Sequence, residues 1–131
     1  MRNFDGIDGL VLCVIEGKKD IYKWISSIDA LDHSIILYEE LKGSVNNLLN
    51  GELIYLKRGR FVLSKTAKLI LKGSFSMGAI EWQLKVQNRI KEYIYDEEKE
   101  NSFDLSQEEY DFALKKYIDK TDKLLERILK L

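Results

Sequence analysis

Three apolar stripes at helical spacing follow one another between residues 5 and 50, and the period then changes. Ile7, Leu10, Val11, Val14 and Ile15 recur at i, i+3, i+4, i+7 and i+8, which predicts one face of a helix from about Asp5 to Glu16. Gly17 is placed to cap its end and Asp20 to start the next helix, whose stripe is Ile21, Trp24, Ile25, Ile28 and Leu31. After "HSII" a third stripe runs through Tyr38, Leu41, Val45, Leu48 and Leu49. A helix with one apolar side must bury that side, so the three are expected to share a core. The runs "ELIYL" and "RFVLS" that follow are short and β-prone, and they flank "KRGR", where Gly59 can supply the positive φ of a tight hairpin turn. This order constrains the chain to be mostly helical with one small hairpin.

Beyond the hairpin, Ser64 is a natural N-cap for "KTAKLILK", which stops at Gly73. Ser74 and Ser76 are expected in a loop, and a fifth helix from about Ala79 to Tyr95 would carry Trp82, Val86, Ile90 and Tyr93 on one face. "DEEKENS" reads as a solvated, charged linker. In "LSQEEY", Ser106 and Glu109 form a capping box, and Leu105 and Tyr110 hold the positions of a hydrophobic staple. Tyr110, Leu114, Tyr117, Thr121, Leu124, Ile128 and Leu131 then alternate steps of four and three, a heptad seam that packs helix against helix. The seam fits packing within its own domain as well as a subunit interface.

Charge is almost balanced overall, at −1, but it is not evenly spread. Residues 1–52 carry five basic and nine acidic side chains, residues 53–80 six and none, and residues 81–131 ten and thirteen. The six are Lys57, Arg58, Arg60, Lys65, Lys68 and Lys72, a basic island that can steer a polyanion. With 45% apolar residues the chain can build a core, and no apolar run reaches the length of a membrane span. A single cysteine, Cys13, cannot form an internal disulfide and fits a reducing cytoplasm. Its apolar neighbours make it filler rather than a nucleophile.

The stretch "YEELKGSVNNLLNGELIYLKRGRFVLSKTAKLIL", and the order of three helices, hairpin and helix over residues 5–73, resemble the winged-helix branch of the helix-turn-helix proteins. "LSKTAK" is loosely similar to the turn that ends many wings, and "LDHSIILYEELKGSVNNLL" looks like small winged-helix proteins without assigned activity. The resemblance implies a winged-helix domain over residues 1–76; residues 77–131 are then a helical extension, which the heptad seam of the last helix makes a candidate dimerisation segment. It also implies a third helix that enters the major groove and a wing that reaches the backbone. Carried over residue by residue, the DNA-binding set is Lys42, Asn46 and Asn47 on the third helix, with Lys57, Arg58, Arg60, Lys65 and Lys68 from the wing onward. Glu39 and Glu40 oppose phosphate at that helix's start, where most recognition helices are basic.

Catalysis has no local signature. One histidine and one cysteine lie in different predicted elements, and "GSFSMG" lacks the lysine and spacing of a phosphate loop. Asp29 and His33 share a helical face, with Asp32 beside them, but a metal would need further ligands, and His33 is better placed to meet a helix end. Neither enzyme activity nor a metal or cofactor is expected. Two functions remain open: a small cytoplasmic transcription regulator that binds double-stranded DNA as a homodimer, and a winged-helix module for protein association without DNA. Ile25, Ile28, Leu41, Val45, Leu48, Phe61 and Ile70 are expected in one core.

Overall fold

The computed structural model of the chain describes residues 1–73, 78–99 and 103–130. Strand β1 (Arg2–Asn3), helix α1 (Gly6–Leu12), strand β2 (Gly17–Lys18) and helices α2 (Ile21–Asp32) and α3 (Tyr38–Asn50) come first. The hairpin β3 (Ile54–Lys57) and β4 (Arg60–Leu63) leads to α4 (Lys65–Ile70) and α5 (Ala79–Ile90). A last short strand, β5 (Ile94–Tyr95), precedes the long helix α6 (Gln107–Leu129). The architecture is mostly helical with two small antiparallel sheets, β1–β5 and β2–β4–β3.

Local chemistry sets most of the helix starts. Asp5 Oδ1 accepts from Asp8 N at 3.0 Å while Asp8 Oδ2 accepts from Asp5 N at 2.9 Å, a reciprocal cap for α1. Asp20 caps α2, Ser64 caps α4, and Ser106 with Glu109 caps α6. Two helices are shorter than their apolar stripes. The first ends at Leu12 rather than Glu16, because Gly17 at φ 105° bends the chain into β2, yet Ile15 beyond the helix is fully buried. The fifth ends at Ile90 rather than Tyr95, because Ile94 and Tyr95 leave it to pair with Asn3 and Arg2. "EGKKD", read as a helix break alone, contains the strand that pairs with β4.

The seven expected core residues all lie in one apolar cluster. That cluster also takes in Val86, Ile90, Phe103, Leu105 and Tyr110, so the C-terminal segment completes the core instead of extending from it. The expected boundary at 76/77 and the loop residues Ser74 and Ser76 lie outside the described residues, as do Leu131 and residues 100–102 of the charged linker. Trp24, Phe61 and Phe103 form a ring trio with centroids 5.6, 5.8 and 6.1 Å apart, and each such pair adds about 0.5–1.5 kcal/mol beyond area burial. The segment from Phe103 to Tyr110 therefore acts as a strap across the second and third helices. Tyr38 Oη donates to Leu105 O at 2.7 Å, and Tyr110 Oη donates to Ile36 O.

Candidate nucleic-acid interface

The hairpin turn is two residues long. Arg58 and Gly59 have φ of 53° and 73°, the left-handed pair that a tight antiparallel hairpin requires. Register places Lys57 opposite Arg60 across the hairpin and Arg60 opposite Lys18 on the other side. Lys57, Arg58 and Arg60 are exposed as expected. Lys65 and Lys68 are exposed too, but β4 carries the chain roughly 10 Å away from the tip before α4 begins. The five cations therefore do not form one cluster at the tip.

The third helix differs from its expected role. The helical period turns Asn46, Asn47 and Asn50 away from the stripe of Leu41, Val45 and Leu48, yet all three are half-buried. Asn46 Oδ1 accepts the backbone N–H of Phe103 at 2.6 Å, and Asn47 Nδ2 donates to Asp8 Oδ1 at 3.1 Å. Lys42 Nζ sits 5.7 Å from the centre of the Tyr38 ring and 3.4 Å from its hydroxyl. The strap and β5 lie where a major groove would have to approach, and Asn46 and Asn47 spend their amides on internal contacts. Glu39 is exposed, while the Glu40 carboxylate accepts from Leu37 N at 3.0 Å. This face of α3 holds the protein's own chain and offers no open row of base-reading amides.

The carboxylates near the end of α2 make internal contacts. Asp29 accepts from Tyr117 Oη, and Asp32 accepts from Gln83 Nε2 and Ser34 Oγ. His33 adopts the left-handed conformation that closes α2, its N–H donating to Asp29 O at 2.8 Å. Among the described residues no three His, Cys, Asp or Glu side chains converge as a metal site. Burial pushes the Cys13 thiol up to about 12, so its nucleophilic thiolate is scarce near neutrality. Among the described residues no helix is long and apolar enough to cross a membrane.

The sequence reading missed two residues beside the hairpin. Lys18 comes from β2, too short a strand to show any period, and Tyr55 shares the outer face of the sheet with Lys57 and Arg60. Tyr55 could have been found from the alternation in "ELIYLK" once the register was known. Comparison with protein-family models, with curated proteins and with solved structures gives no match to this chain.

Proposed function

We propose that this chain is a winged-helix module for protein association, and that its first partner is a second copy of itself. The element order supports the winged-helix part: three helices, a hairpin and a fourth helix, with β2 bracing the return strand of the hairpin. One observation carries the association part. The first half of α6 packs against α2, with Tyr110 and Ala113 buried and Tyr117 donating to Asp29 of α2, whereas every described residue from Ile118 onward is exposed. That bare half holds Ile118, Leu124, Leu125, Ile128 and Leu129, between 46% and 83% exposed. Its seam continues the alternation of four and three, which fits a partner helix of the same period, and the chain carries one.

Light scattering tests this on the full chain and on a chain ending at Tyr117, which keeps every buried residue of α6. The full chain is expected as a dimer at micromolar concentration and the shortened one as a folded monomer. Leu124→Glu with Ile128→Glu should act like the truncation. A monomeric full chain, or a shortened chain that still pairs, defeats the proposal.

A second reading, transcription regulation through double-stranded DNA, is favoured by one observation: the exposed cations Lys57, Arg58 and Arg60 on the hairpin. It would require contact through phosphates with little base readout, since α3 is covered. Salt-titrated binding to several duplexes separates the two. Duplex affinity that is steep in salt, nearly indifferent to sequence and lost when Lys57, Arg58 and Arg60 become Ala supports the regulator, and no duplex affinity at low salt removes it.

A further inference from the structure

The outer face of the three-stranded sheet carries an arrangement that folding alone disfavours. Lys18, Arg60 and Lys57 stand side by side on β2, β4 and β3, and like charges directly opposite one another destabilise a sheet. Phe61 and Leu63 are buried, so the two-residue period turns Arg60 and its cross-strand partners outward. All three cations are exposed, and none joins an ion pair among the described residues. With neighbouring strands about 4.8 Å apart, the row spans roughly 10 Å. The next outward row is Tyr55 opposite Val62, with Tyr55 48% exposed. Glu16 and Asp20 lie on the rim beside Lys18 and Arg60, and the Asp20 carboxylate is engaged as the cap of α2, accepting from Lys23 N at 3.0 Å.

We infer that this face binds single-stranded nucleic acid, with successive phosphates along Lys57, Arg60 and Lys18 and an unpaired base stacked on Tyr55. A row of cations recognises a phosphodiester backbone and relieves the repulsion built into the sheet. The exposed ring beside it selects unpaired bases, because a base inside a duplex has no free face to stack. This surface lies on the sheet, away from the bare half of α6, and the inference does not depend on self-association.

The test uses the full chain and a dye-labelled oligothymidylate of about 12 nucleotides, read by fluorescence anisotropy across a salt series. Binding is expected at low salt, with a log–log salt slope of about −2 to −3 for three or four phosphates. Lys18→Ala should make the slope shallower by about 0.7. Tyr55→Ala should weaken binding about ten-fold with the slope unchanged, and Tyr55→Leu should weaken it as well, because it keeps bulk and loses the ring face. Circular dichroism checks that each variant is folded, which exposed positions favour. Absence of binding at low salt overturns the inference, as does a Lys18→Ala variant with an unchanged slope. Equal or tighter binding of a duplex of the same length, indifference to Tyr55, or equal displacement by an acidic peptide of similar length overturns it too.

Discussion

Arg58 occupies a position that its side chain does not suit. At φ 53° it takes the first left-handed place of the hairpin turn, where asparagine or glycine is usual and other L-residues pay about 1–2 kcal/mol. Arg58→Asn should therefore raise stability by about 0.5–1 kcal/mol, read as a higher urea midpoint, while the loss of one cation weakens any polyanion contact. Asp8 is the other residue whose environment opposes its charge. It is buried, and desolvation holds its pKa above the usual carboxylate range despite hydrogen bonds from Asp5 N and Asn47 Nδ2. A folded pKa above the unfolded one means that the folded state keeps its proton over a window in which the unfolded state has lost it. Stability from this group is therefore full below about pH 4 and is lost as pH rises through the folded pKa. Urea midpoints of the wild type should fall relative to those of Asp8→Asn as pH rises from about 4, whatever the constant offset from the altered hydrogen bonds. A parallel pair of pH profiles would show that Asp8 does not titrate differently on folding.

At the scale of elements, α1 and α5 come into close contact at Gly9. A Cβ there would stand 2.9 Å from Gln87 Cα and 3.1 Å from Ile90 Cγ2, and the first of these is backbone that cannot swing aside. Gly9→Ala is expected to cost about 1–3 kcal/mol, whereas Gly6→Ala should stay within about 0.5 kcal/mol. The nearest atom to a Cβ at Gly6 is the Gln87 amide nitrogen, at 3.4 Å. Chemical denaturation of the two variants side by side measures the contrast. The stripes, the caps at Asp20, Ser64 and Ser106, and the hairpin around Gly59 were legible because each is a local pattern with a local cause. The strands β1, β2 and β5 were not, since two residues cannot display a period and their pairing depends on chain far away. The candidate site divides in the same way. Lys57, Arg58 and Arg60 follow from a turn that the sequence announces, but Lys18 joins them only through the register of β2 with β4.

At the scale of the whole molecule, the third helix was misread because its outward face was judged without the strap that covers it. Phe103 sits in a polar, charged stretch with no apolar periodicity around it, yet it completes the ring trio with Trp24 and Phe61. That strap also sets a schedule. Asn46 meets Phe103 57 positions later in the chain, Ile36 meets Tyr110 74 later, and Asp29 meets Tyr117 88 later. A ribosome adds about 5–20 residues each second, so the first three helices and the hairpin wait on the order of several seconds for their cover. During that interval Trp24 and Phe61 lack their third ring and α3 still shows the face that the finished protein closes. A nascent chain of this kind offers its helper proteins, and its rivals for aggregation, a surface that the completed molecule no longer has.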